Sequence, residues 1–442
     1  MKSATSRQAE RAGRISPDRK RRVRAAGAVF CAMVVVSLGF APSAAADDIS
    51  SQQWYLEPMQ AEQMWKVSTG EGVKVAVLDS GVNVNIPALK GQVLADEVPK
   101  SVAYHATRDE VGHGTSMAEL IAGTGAGGGL QGLAPGAKIV PYYISVDPDG
   151  EGKKQKAPEL AEVLRAVADT DAKIINMSFG NPAFDQEEQA AVEYAVSKGK
   201  LLVASAGNDG LENGFAGYPV SYNYVLGVSS MNEAGTVSRF ATHGNYVDLV
   251  APGEDVPTWC DASFQSYCSK SAGTSISSAL VSASAALIWS AHPDWTANQV
   301  TRALIDTASR KWPKNDPTQY AGYGTVRPRV VLENPNYDAG PAYSDPLAKW
   351  NKEKGKKLVT EIPPASAASP SATGSSQAPE GSSGADKAAA GSKAEGADKT
   401  ENAAAESSND DNSTLWIALG AAAAVVVLGG GAFAVLRSRR AT

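Results

Sequence analysis

Four polar residues of types that perform nucleophilic chemistry stand in glycine-flanked turns, in the order Asp79, His113, Asn208 and Ser275. Their contexts are VLDSG, VGHGT, SAGND and AGTSI. A serine hydroxyl is a poor nucleophile until a base takes its proton, and a neutral imidazole suits that task near pH 7. Each residue also has an ordinary structural use. The aspartate can form a turn, the asparagine tolerates positive φ, and the serine can cap a helix. Taken singly, these ordinary uses prevail. As an ordered set, in a chain whose only histidines are His105, His113, His243 and His292, the four point to a shared site.

Such residues must be held by a scaffold, and the surrounding pattern supplies one. Short apolar runs at 73–80, 138–146, 172–180 and 200–208 read as buried strands, with helical periodicity between them at 158–170 and 185–199. The second helical stretch has Asp185 as N-cap, Glu188 three residues on and Gly199 as stop. Strands alternating with helices predict an α/β fold with a mostly parallel sheet covered on both faces. In such sheets function gathers at the carboxyl ends of the strands, where the Asp79 and Asn208 turns lie. No internal repeat is visible.

The chain's ends set its compartment. A basic stretch, an apolar run at 25–40 and the small residues Ala44–Ala46 form the order of a secretory signal peptide over 1–46. That run is too short for a committed membrane span. Residues 47–337 are rich enough in Val, Ile, Leu and Gly for one catalytic-size domain, with 47–70 as an N-terminal extension. From 338 to 413 the chain turns to Ala, Ser, Gly and Pro and is expected to form a disordered tether. The uncharged run Leu415–Leu436, within 414–436, is long enough to cross a bilayer as one helix, and the basic residues of 437–442 predict a cytoplasmic C-terminus. The expected location is the cell membrane, single-pass, with the domain outside. The formal charge is -6, and 1–46 carry nine Lys/Arg against two Asp/Glu, leaving the remainder near -13. So acidic an exterior argues against a nucleic-acid partner.

Cys260 and Cys268 are the only cysteines besides Cys31 of the signal region, and they precede Ser275 by a few residues. The pair could ligate a metal, do redox chemistry or staple a loop. No histidine or third cysteine joins them, and no C-x-x-C is present. Exported chains meet oxidising conditions, so a disulfide is expected, restricting the segment that presents Ser275. No metal site is expected from these residues. DPDGEG at 147–152 has the acidic look of a cation loop and equally of a plain turn, so structural calcium stays open while no cofactor is required.

Six ordered segments, AVLDSGV, GHGTSMAELIAG, NMSFG, ASAGNDG, DLVAPGEDV and SAGTSISSALVSASAALI, resemble the subtilase family of serine proteases over about 54–332. The resemblance implies a subtilisin-like three-layer fold and a serine endopeptidase acting on proteins or peptides. It assigns Ser275 as nucleophile, His113 as general base and then acid, and Asp79 as the group orienting the imidazole. The oxyanion would be met by the Asn208 amide and the Ser275 N–H. Ser178, Phe179 and Gly180 would pair with an extended substrate, and Ala206 and Gly207 would wall the S1 pocket. Two positions depart from the family: Ala279 stands where proline is usual, and Glu119 where glycine is common. The short N-terminal extension, tether and single span look most like the mycosins, membrane-anchored subtilases of type VII secretion systems. That likeness implies secretion-channel components as partners. It leaves two further readings: an inactive structural subunit of such a complex, or a general degradative ectoprotease.

Overall fold

A computed structural model describes residues 49–145, 157–210 and 217–348. The expected signal peptide, the DPDGEG stretch, the tether beyond 348, the apolar C-terminal run and the basic tail lie outside these residues.

Six strands form one parallel sheet: β1 Lys74–Asp79, β2 Lys138–Tyr143, β3 Ile174–Met177, β4 Leu201–Ser205, β5 Val225–Met231 and β6 Leu249–Pro252. Their order is β2-β1-β3-β4-β5-β6. The sequence pattern anticipates the first four. β5 is diluted by glycine and serine, and β6 is only four residues ending in proline, so neither shows a strong apolar run.

Strand alternation decides the two faces. Val75 and Val77 point to one side with Ile139, Ile174 and Val203. Ala76 and Leu78 point to the other with Val140, Ile175 and Leu202. The helices are α1 Ala61–Trp65, α2 His113–Ala122, α3 Leu160–Ala168, α4 Gln186–Ser197, α5 Thr274–Ala291, α6 Ala297–Thr307 and α7 Arg329–Leu332. Buried residues of α3 and α4, including Val163, Val167, Val192 and Ala195, cover the second face. Those of α2, α5 and α6 cover the first. The result is the subtilisin-like three-layer α/β arrangement.

α4 begins as its sequence implies: Asp185 accepts from Glu187 N at 2.7 Å and Glu188 N at 3.1 Å. The Glu188 carboxylate, rather than closing a capping box, accepts from Tyr222 Oη at 2.8 Å. α5 carries no charged residue and runs through the interior, with most of its serines and apolar side chains buried. Its length and composition would suit a membrane span, yet 83% of it is buried within the domain.

Both flanks of the domain are packed. Ile49, Tyr55, Met59 and Met64 join the first core, and Trp54 Nε1 donates to Glu254 O at 3.0 Å. At the other end, the expectation of a tether from 338 is corrected. Thr296 Oγ1 donates to Ala342 O and Arg302 Nη2 to Ser344 O, each at 2.6 Å. Leu347 is buried, so this polar-looking stretch has enough apolar contact to stay on the fold.

Candidate active site

β1 delivers Asp79 to the carboxyl rim of the sheet, next to the strand-order reversal between β1 and β3. Asp79 is fully buried. Its Oδ1 accepts from Ser80 N at 2.7 Å and lies 2.7 Å from His113 Nδ1. His113 opens α2, with its side chain 36% exposed. The glycine that follows permits this approach, because a Cβ on Gly114 would lie 2.2 Å from Gly81 O. Burial of the imidazole opposes its charged form. The Asp79 charge, the Asp79 hydrogen bond and the Asp109 charge together outweigh it and hold His113 above the ordinary histidine range.

Asp109 is a site residue that the sequence pattern did not single out. It is buried, and its Oδ1 accepts from Ser80 Oγ at 2.9 Å, Val111 N at 2.9 Å and Gly112 N at 2.7 Å. Its Oδ2 accepts from Thr115 N at 2.9 Å and Thr115 Oγ1 at 2.6 Å. One carboxylate thus organises the whole turn ahead of His113 and connects through Ser80 to Asp79. The available signal was an Asp shortly before a helix start, a common cap whose consequence here is the placement of His113.

The predicted nucleophile sits one residue inside α5, whose N-cap is Gly273, so Ser275 is not itself the cap. Ser275 Oγ donates to Ser178 O at 2.9 Å. Below it, Ser178 Oγ lies 2.9 Å from Ser278 Oγ and accepts from Asn176 Nδ2 at 2.9 Å. Ser282 Oγ donates to Asn176 Oδ1 at 2.9 Å, so a buried polar ladder locks α5 to β3. The helix runs unbroken through Ala279, which is buried in the core.

Asn208 lies in the turn after β4. Its Oδ1 accepts from Thr274 N and Thr274 Oγ1, both at 3.0 Å, which leaves the Nδ2 group as donor. A carbon placed on Gly273 would be 3.6 Å from Asn208 Nδ2 and 3.8 Å from Ser275 N, so the two donors border one small space. Gly207 N donates to Thr274 Oγ1 at 3.1 Å, tying the turn to α5. A cavity of about 750 Å³ opens here, lined by Phe179, Gly180, Ala206, Asn208, Thr274 and Ser275 among others. Of the expected site residues, Phe179, Gly180, Ala206, Gly207, Asn208 and Ser275 share this cleft, whereas Ser178, Asp79 and His113 are not in its lining.

Cys260 and Cys268 are joined, with Cα atoms 4.9 Å apart. They staple the antiparallel hairpin of β7 Val256–Trp259 and β8 Tyr267–Ser271. The hairpin leads into α5 as the sequence implies, but it also folds against α2, where Trp259 N donates to Ser116 Oγ at 3.1 Å. Among the described residues no cluster of three or more His, Cys, Asp or Glu side chains could hold a metal ion.

The structure pairs an imidazole with a buried carboxylate at His113 and Asp79, and sets the Asn208 amide and the Ser275 N–H around one small space. The chain is similar to known proteins. The model of the Subtilase family matches residues 70–324. Thermitase of Thermoactinomyces vulgaris is 33% identical over 271 residues, 59% of this chain and 90% of its own length. The minor extracellular protease Epr of Bacillus subtilis is 29% identical over 338 residues, 72% of this chain, and the match spans 48% of Epr. Solved structures of MycP1, among them that from Mycobacterium smegmatis, match with TM-score 0.52 and 26% identity over 65% of this chain. They are covered to 86% for the Mycobacterium smegmatis protein and 90% for one described as a serine protease and essential component of the type VII (ESX-1) secretion system.

Proposed function

The chain belongs to the subtilase family and is a subtilisin-like serine protease, and from that membership we propose that Ser275, His113 and Asp79 carry out its peptide-bond hydrolysis. The observation that carries this reading is the 2.7 Å contact between His113 Nδ1 and buried Asp79 Oδ1, with Asp79 ending the strand beside β3 and Ser275 Oγ bonded to Ser178 O just beyond β3.

With Nδ1 hydrogen-bonded to Asp79, Nε2 is the imidazole nitrogen left to take the Ser275 proton. Ser275 Oγ then attacks the substrate carbonyl, and the imidazolium is stabilised by Asp79. Asn208 Nδ2 and Ser275 N–H receive the oxyanion. His113 returns the proton to the leaving amine, and water hydrolyses the acyl-enzyme by the same steps in reverse. Ser178–Gly180 would pair with the substrate backbone, and a Cβ at Gly180 would meet nothing within 4 Å, so there is space beside that residue. Ala206 and Gly207 would wall the S1 pocket. No cofactor enters this scheme.

One observation favours a second reading, that of an inactive structural subunit: the Ser275 hydroxyl is donated to Ser178 O. That hydrogen bond must be exchanged for one to the imidazole before attack can begin. Fluorophosphonate labelling separates the readings. Wild type should label, and Ser275→Ala and His113→Ala should not; an inert wild type or a labelled Ser275→Ala protein would overturn the assignment.

We further propose membrane anchoring through the Leu415–Leu436 run and association with a type VII secretion system. The sequence of the two ends and the likeness to MycP1 support this. Co-purification of secretion-channel proteins with the full chain is expected, and their absence would favour a general ectoprotease.

A further inference from the structure

Glu119 lies on α2, six residues beyond His113, and is fully buried. A carboxyl group in an apolar interior costs stability unless it is hydrogen-bonded. Its partner is Tyr267 of β8, whose Oη donates to Oε1 at 2.9 Å and to Oε2 at 3.2 Å. Space for the side chain exists because residue 129 is glycine: a Cβ there would lie 3.1 Å from Oε1 and 2.8 Å from Ala88 Cβ. The titratable groups facing it are Tyr267 from the hairpin and Tyr55 from the N-terminal segment. Burial pushes the Glu119 carboxyl up to about 7.

Tyr267 is itself held. Its ring stacks on Trp259 with centroids 3.8 Å apart, the two residues are register partners across the hairpin, and Cys260–Cys268 closes the strands beside them. Trp259 N in turn donates to Ser116 Oγ, which donates to Gly112 O at 2.7 Å, the residue before His113. Two contacts from one stapled hairpin therefore grip α2, at Ser116 and at Glu119.

We propose that Glu119 is a positioning residue for His113: through Tyr267 it locks the disulfide hairpin onto α2, and that lock fixes where the helix presents its imidazole. The proposal rests on His113 being the general base. The hairpin is thereby part of the base's mounting as well as of the nucleophile's.

The test uses the full exported chain and a fluorophosphonate probe, following the maximal labelling rate against pH together with the unfolding temperature. Glu119→Gln keeps an acceptor for Tyr267 and should label within about twofold of wild type. Glu119→Leu and Tyr267→Phe should each slow the maximal rate by roughly three- to tenfold, without weakening initial probe binding, and should move the acid limb. Combining Tyr267→Phe with Cys260→Ser and Cys268→Ser should cost no more than the larger single effect, because one lock is being broken. Wild-type rate and limb in Glu119→Leu would overturn the proposal whatever happens to its unfolding temperature, as would Glu119→Gln behaving like Glu119→Leu. Should wild type fail to label, the protease reading fails by itself. The titration of the His113 imidazole by NMR, expected to differ between wild type and Glu119→Leu, still decides the positioning role.

Discussion

Replacing Asp109 perturbs the turn ahead of the base without touching the proposed triad. In Asp109→Ala five hydrogen bonds disappear. Ser80 Oγ still has Asp79 Oδ1 as acceptor at 3.2 Å, whereas the Thr115 hydroxyl keeps only its acceptor role toward Asn83 N at 2.9 Å and its own proton loses its acceptor. Three backbone N–H groups, of Val111, Gly112 and Thr115, are left without acceptors. An orphaned buried donor costs about 1–3 kcal/mol, and water entering the vacated space relieves part of that, so the expected loss is about 3 kcal/mol. That is a large share of a typical stability of roughly 5–15 kcal/mol. Asp109→Asn retains one acceptor oxygen and should lose about 1–2 kcal/mol. Its electrostatic effect is separable. Asp109 raises the His113 pKa, so Asp109→Asn should lower it. Neutral imidazole is the working form, so the acid limb of the labelling rate should move to lower pH. The stabilisation of charged His113 is present below its unfolded pKa and fades as pH rises through its raised folded value. Asp109→Asn should therefore be more destabilising at pH 5 than at pH 8. Urea unfolding at both pH values and a pH–rate profile measure these effects. A limb that stays put, or a loss below about 0.5 kcal/mol in Asp109→Ala, would refute the reasoning.

Asn208→Ala should lower the maximal rate by about 10²–10³-fold with little change in substrate binding, a magnitude taken from a subtilisin rather than derived for this chain; steady-state kinetics check it. Reducing Cys260–Cys268, which closes a loop of sequence separation 8, should cost about 2–3 kcal/mol, read by thermal unfolding with and without reductant. Glu119 has a folded pKa raised from 4.5 to about 7, so its contribution is full below 4.5 and is lost as pH rises toward 7. Stability should fall by up to about 3 kcal/mol across that window, and Glu119→Gln should flatten the slope.

What the sequence by itself determined about this protein is what local pattern encodes. Alternating apolar runs and helical periodicity announce a covered parallel sheet, because strand and helix faces repeat at fixed short periods. Asp79, His113, Asn208 and Ser275, in glycine-flanked turns, point to a shared site by residue type and order. Tertiary structure decided the contacts that no local pattern holds. Asp79 meets His113 across 34 positions and Ser275 meets Ser178 across 97, because sheet order β2-β1-β3-β4-β5-β6 brings their strand ends to one rim. Asp109 looks like any turn aspartate until five donors converge on it. Glu119 looks like a departure from a glycine until the hairpin folds back to supply Tyr267 across 148 positions and Gly129 leaves the room. Burial and partner choice are properties of packing, and only the folded chain holds them.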